Sequence, residues 1–559
     1  MNRRAFLAGA ATGGAISVLD WLGWFRRFGV PGTSKSLGIA EAVAQTATPH
    51  FLIYWFLEGG WDSYCMFSPL VTVNDATGTY PANSLSPTPS WSAQFYRPRN
   101  YGLDGTHFTS GNQNGISYGY LAEDGKTLFP DMSIISSGLG NTFHSGGRWE
   151  YHYGKYAQYA ALTAQRQSNE RTVLQAFAEA YGSAFPLPHV SWHRWLSDGE
   201  LDEPTYPEGT GYYEKLGPAY AHTIYGQTPT DMRSRLVSLS GVSAGARMAR
   251  IRAFVDNLHD NFIADHNSES VRAFSSAVQI HRQLTGGTGV TVNPATMFTD
   301  PTLRAEFGIT AADEQTTATV VNGNPARSKN TPNTNVQAMM TYELMTKGLS
   351  IGFWIESRDV RDFDSHRSRS SILSNRGQYD QLGQVRTQLW TPLKALVNRL
   401  KTTQYGAGPT SYWDHTVIVL ASEMGRTIQG DVSSILAGTE SDQLKYQAIM
   451  DQDCCQHWRV SSAAFLGGPV RGGTQYGKVG TSSLEGIPIM PDTGALDPAY
   501  DATTGALLSG QTKNPNSVVA DPGHIYSTAL HLSGLDPNAL RTAGKGRNSR
   551  PPLTIVKKP

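Results

Sequence analysis

Residues 51–62 read Phe-Leu-Ile-Tyr-Trp-Phe-Leu-Glu-Gly-Gly-Trp-Asp. The first seven are apolar or aromatic without a break, and the run stops at Glu58. A run this short and continuous lacks the alternation of a half-exposed strand and predicts a strand buried on both faces. Four more runs have the same character, at 132–137, 350–355 (SIGFWI), 416–421 (TVIVLA) and 461–466 (SSAAFL). Helical periodicity separates them, at 148–166, 170–181, 244–267, 271–284, 335–346 and 376–401. Strands alternating with helices predict an α/β fold whose sheet is mainly parallel and covered on both faces. In such sheets, sites form at the carboxyl ends of the strands.

The 559-residue chain is 39% hydrophobic and 16% charged, enough apolar mass for a large core. Lys+Arg and Asp+Glu both number 46, so there is no basic excess for a polyanion and no case for nucleic-acid binding. Three cysteines exclude a disulfide-built scaffold and a Cys-rich zinc module. Three stretches rich in Gly, Pro, Ser, Thr and Asn, at 73–118, 285–334 and 470–522, read as insertions in one domain rather than linkers. No internal repeat is evident at this level.

Arg3-Arg4, then Phe6-Leu7 and a weakly apolar Gly/Ala-rich stretch, have the form of a bacterial twin-arginine export signal. That stretch is too short and glycine-rich for a stable membrane span, and no later stretch is long and apolar enough. Ala42-Val43-Ala44 supplies small residues for cleavage. The expected organisation is therefore a signal over 1–44 and one domain over 45–559, in the periplasm or outside the cell. Its first partner would be the twin-arginine translocation machinery.

Five motifs stand beside the apolar runs. Glu58-Gly59-Gly60-Trp61-Asp62 follows the first, with two glycines that let backbone approach a ligand closely. Ser145 and Arg148, in His-Ser-Gly-Gly-Arg, come after the second run at the start of a helix. There, free N–H groups and the positive dipole end favour an alkoxide or an attached phosphate or sulfate. Asp364-Ser365-His366 pairs a hard oxygen with an imidazole, a common two-ligand unit for divalent metals. Ser422-Glu423-Met424-Gly425-Arg426 follows the 416–421 run, and His457 precedes 461–466. If that last strand runs antiparallel, its amino end brings His457 to the same edge. Each motif alone also has an ordinary reading: a turn, a helix cap, a solvated loop, a Glu–Arg pair or a structural histidine.

Their order resembles a large bacterial family of uncharacterised proteins with twin-arginine signals, within the alkaline phosphatase/sulfatase-like superfamily. The resemblance runs from about residue 51 to 535. It is carried by FLEGGWD (56–62), HSGGRWE (144–150), FDSH (363–366), VLASEMGRT (419–427), AFLGGPVRGGTQYG (464–477) and GHIYSTALHLSGLDP (523–537). It implies a three-layer alkaline-phosphatase-like core and one or two divalent metal ions. By position, Glu58 and Glu423 would hold the first metal, and Asp364, His366 and His457 the second. Ser145 would be the nucleophile, while Arg148 and Arg426 would hold the nonbridging oxygens of a small anionic ester.

The chain departs from the superfamily at three places. Glu58 stands where Asp is usual, Glu423-Met424 replaces an Asp-His pair, and Gln456-His457 replaces an acid-His pair. Two functions therefore stand side by side. One is an exported metal-dependent hydrolase of phosphate or sulfate esters. The other is a non-catalytic exported protein binding a glycan, an envelope component or a partner protein in the same cleft. The 12 Trp and 25 Tyr suit a glycan-like ligand in either case. Cys65 would lie near Cys454-Cys455 if Glu58 and His457 share a site, which allows a bridge from Cys65 to one of them or three free thiols.

Overall fold

The computed structural model describes residues 50–68, 111–154, 172–192, 296–313, 332–357, 384–426, 457–542 and 550–559, with 229–234, 363 and 439. Within these ranges Glu58, Asp62, Tyr64, Cys65, 141–143, 183–184, 186, 188, 231, 312, 481–482 and 484 are not described. The segment 1–44 expected to be an export signal, the expected helices over 244–267 and 271–284, Asp364, His366 and all three cysteines fall outside the described residues.

The 51–62 stretch behaves as its composition predicts. Phe51–Phe56 forms β1, buried at every position. A hairpin of β2 (Gly111–Gln113) and β3 (Ile116–Tyr118) precedes β4 (Met132–Leu139). Next come β5 (His189–Ser191), β6 (Gly352–Glu356) and β7 (Thr416–Ala421). A short ribbon pairs β8 (Gly425–Arg426) with β9 (His457–Trp458). After it run β10 (Val460–Gly467), β11 (Thr474–Tyr476), β12 (Lys478–Val479) and β13 (Gly486–Ile487).

Seven strands form one sheet in the order β11-β4-β10-β7-β1-β6-β5. Only β10 runs against its neighbours; the other pairings are parallel. The fold is thus α/β with a mixed, mostly parallel sheet, and the antiparallel strand is the one the His457 argument required.

Helices α1 (His144–Tyr153), α2 (Val173–Tyr181), α3 (Pro301–Glu306), α4 (Thr334–Thr346), α5 (Thr391–Thr402), α6 (Pro522–Leu532) and α7 (Pro537–Thr542) complete the described elements used below. Side chains alternate across a strand, so β1 tells which helices share a face. Phe56 packs on Tyr151 of α1 at 5.5 Å between ring centroids. Tyr54 stacks on Trp354 of β6 at 4.7 Å. Phe51, of opposite parity, meets Tyr405 and Tyr412 beyond the end of α5. Helices α1, α2 and α6 pack with one another, as do α4 and α5. Among the described residues no helix is long and apolar enough to cross a membrane.

Several sequence expectations need correction. Helix α1 starts at His144, four residues earlier than the periodicity suggested, because the Gly-Gly step is taken up inside the helix. The 376–401 pattern contains a π-helical turn at Arg386–Trp390. The stretch 470–522 is more than surface insertion, since Thr474–Tyr476 forms the edge strand beside β4. It also holds an internal repeat: Thr-Gly-Ala-Leu occurs at 493–496 and 504–507. Each copy closes the same hairpin, pairing Ile489 with Leu496 and Tyr500 with Leu507.

Candidate functional site

Strands β1, β6, β7 and β4 end at one edge of the sheet, and there the described part of the site assembles. Strand β7 delivers Ser422 and Glu423, both fully buried, directly beyond the end of β1. The Leu57 N–H donates to the Ala421 carbonyl at 2.9 Å, continuing the β1–β7 ladder by one residue. The chain then turns through Gly59 (φ 120°) and Gly60 (φ 76°), backbone conformations in which a side chain is strained. That turn aims the Gly59 N–H at Glu423 Oε1, 2.6 Å away. Two residues on, the Trp61 N–H donates to Ser422 Oγ at 3.1 Å. The Ser422 hydroxyl lies 2.6 Å from the Leu57 carbonyl and 3.2 Å from Glu423 Oε2. Its single proton serves one of them at a time.

Two further glycines bring backbone close to Glu423, one at its main chain and one at the base of its side chain. A Cβ on Gly147, in α1, would stand 2.5 Å from the Glu423 Cβ, and one on Gly140 would collide with the Glu423 carbonyl. The first turn of α1 therefore rests against Glu423. The backbones of Ser145 and Arg148 lie in that helix, Ser145 in its first turn. Arg426 lies opposite His457 in the β8–β9 ribbon, and His457 is partly exposed. The structure thus brings Glu423, the Arg426–His457 pair and the Ser145-bearing helix start to one edge. Glu58 lies between two described residues, Leu57 and Gly59, while Asp364 follows the buried Phe363.

Glu423 and His457 supply a hard oxygen and an imidazole, which suit a divalent metal of the borderline class. The hydrogen bonds at Glu423 resemble the outer-shell contacts that orient a ligating carboxylate. Among the described residues, no three His, Cys, Asp or Glu side chains converge on a metal centre. The remaining predicted ligands, Glu58, Asp364 and His366, lie outside those residues.

Sequence reasoning missed other polar groups at this edge. Glu150 and Tyr151 of α1 are buried. Burial pushes the Tyr151 phenol well above its usual range; nearby Glu150, Glu423 and Asp521 add to the rise, and the Ser461 side chain opposes it. Glu356, buried at the end of β6, accepts from Trp354 Nε1 at 3.0 Å, and His152 stacks on the same indole with centroids 3.5 Å apart. Asp521 caps α6 and holds His524 Nδ1 at 2.7 Å and Arg550 Nε at 3.1 Å. It reaches this edge because Ala520 pairs with Gly138 near the end of β4. The Asp521-x-x-His524 spacing before an apolar run was a readable capping signal. Glu356, an acid ending an apolar run as Glu58 does, was equally visible.

A separate cleft of about 590 Å³, walled by Pro491, Pro537, Pro551 and Pro552, lies at the far end of α6 and includes none of these residues. No curated protein matches the chain. Residues 51–486 match the model of a protein family described as a protein of unknown function, DUF1501, which spans every strand end discussed above. The chain belongs to the DUF1501 family.

Proposed function

We propose that this protein is an exported, metal-dependent hydrolase of phosphate or sulfate esters, with an alkaline-phosphatase-like core and a serine nucleophile at the sheet edge. The observation that carries this reading is the meeting, at the carboxyl ends of β1 and β7, of buried Glu423 with the first turn of α1. His457 and Arg426 pair immediately beyond. A divalent ion bound there would neutralise the ester and lower the pKa of the attacking hydroxyl. Ser145 Oγ would form a bond to phosphorus or sulfur as the ester oxygen departs with the serine proton. Water would then cleave the seryl ester, restoring the hydroxyl and releasing phosphate or sulfate. Arg148 and Arg426 would hold the nonbridging oxygens. Glu58, Asp364 and His366 would complete the ligand sets of one or two ions. The Arg3-Arg4 signal supports export through the twin-arginine machinery to the periplasm or beyond.

One observation favours the non-catalytic alternative. Both Glu423 oxygens already lie within hydrogen-bonding distance of protein donors, as expected of an acid retained to shape a binding cleft. Turnover of p-nitrophenyl phosphate and p-nitrophenyl sulfate by the mature protein separates the two. The hydrolase reading expects metal-dependent release of nitrophenol that is lost in Ser145→Ala. Glycan binding without turnover in any metal would support the alternative.

A further inference from the structure

Glu58 is flanked by two residues that Ser422 and Glu423 hold directly. The Ser422 hydroxyl reaches the Leu57 carbonyl on one side, and Glu423 Oε1 takes the Gly59 N–H on the other. The Trp61 N–H closes the arrangement on Ser422 Oγ. On its opposite side, the Glu423 arm abuts Gly147 of α1 so closely that no Cβ fits. The Ser422 carbonyl is itself held by Ser461 Oγ at 3.2 Å.

We propose that Ser422 is a positioning residue. With the Glu423 carboxylate it clamps the turn after β1 at Leu57, Gly59 and Trp61, and so sets where that turn stands relative to the helix start that bears Ser145. The clamp stands on hydrogen bonds alone; its consequence for metal binding rests on the hydrolase reading above. Ser422→Ala removes the acceptor of the Trp61 N–H and the donor to Leu57 while leaving Glu423 in place. Gly147→Ala tests the clamp from the other side, because its methyl forces the Glu423 arm to shift although alanine suits a helix.

Both variants are made in the full mature chain and compared with wild type by hydrogen-exchange mass spectrometry. The peptide covering 57–61 should exchange about tenfold faster in each, as expected when a buried amide loses its acceptor. The peptide covering β7 should not change. Zn2+ affinity, measured by calorimetry, should fall about 10–100-fold in Ser422→Ala, with the melting temperature of the metal-free protein within a few degrees of wild type. Unchanged exchange over 57–61 in both variants would overturn the clamp. A loosened loop with wild-type Zn2+ affinity would overturn the positioning role. Wild-type protein that binds none of Zn2+, Mn2+ and Mg2+ would overturn the hydrolase reading instead, and exchange would then decide the clamp alone.

Discussion

Replacing Glu423 by alanine and by glutamine separates the hydrogen-bonding role of this side chain from its charge. In Glu423→Ala the Gly59 N–H loses its acceptor in a fully buried setting, which costs about 1–3 kcal/mol. The lost methylene adds about 0.8 kcal/mol. Alanine keeps the Cβ that touches α1, so the helix contact itself survives. A loss of about 2–4 kcal/mol follows, reduced by whatever burying the carboxylate costs. Glutamine is nearly isosteric. Its carbonyl oxygen accepts from Gly59, and its amide donates to Ser422 Oγ, whose proton is then left to Leu57. Glu423→Gln should therefore stay within about 1 kcal/mol of wild type. Urea unfolding of chelator-treated protein at pH 7, followed by near-UV circular dichroism, measures both variants. Wild-type stability in the alanine variant, or an equal loss in both, would mean that the Gly59 hydrogen bond to Glu423 contributes nothing to stability.

Three further outcomes are expected. Burial raises the Asp521 carboxyl, but the His524 hydrogen bond and the charges of His524 and Arg550 outweigh it and hold the group below its ordinary range. Its stabilising effect is then complete above the unfolded carboxyl value and lost as pH falls through the folded one. Asp521→Asn keeps a capping acceptor but loses the charge that faces His524 and Arg550, and should cost about 1 kcal/mol at pH 7, with a gap that narrows in acid; a gap independent of pH would contradict this. Glu343 behaves oppositely: burial raises its carboxyl against the opposing Phe298 N–H bond and Lys347 charge, so folding loses stability as pH rises through the folded value. Glu343→Gln should be at least as stable as wild type at pH 7 and lose that advantage below the unfolded carboxyl value, read from melting temperatures across pH. Finally, exchanging Arg3-Arg4 for a lysine pair should block export, and undiminished secretion in a cell-fractionation assay would point to another route.

What could be read from the sequence follows the length and continuity of each signal. Strand β7 occupies the residues its apolar run marked, and β1 differs by one residue, since strands buried on both faces admit little else. Three-residue edge strands such as β5 and β11 carry too few residues for a period, and their pairing comes from neighbours distant in sequence. The Thr-Gly-Ala-Leu repeat was short and lay in a stretch without periodicity, so its hairpins became visible only through their hydrogen bonds. At the site, Glu423 was legible because a carboxylate ends a buried run. The clamp was not, because Glu423 meets Gly59, and Ser422 meets Leu57 and Trp61, only once β1 and β7 lie side by side. Likewise, nothing in the sequence marks Gly140 and Gly147 as the positions where two backbones come close to the main chain and Cβ of Glu423.

The proposed divalent-metal site at the carboxyl edge of β1 and β7 should show in the metal content of the purified mature protein. Inductively coupled plasma mass spectrometry, after dialysis against trace Zn2+, Mn2+ and Mg2+, should find one or two ions per chain. The content should fall in His457→Ala, while circular dichroism of that variant stays native. Folded wild-type protein that retains no divalent ion, or one whose metal content is indifferent to His457 and Glu423, would contradict the account.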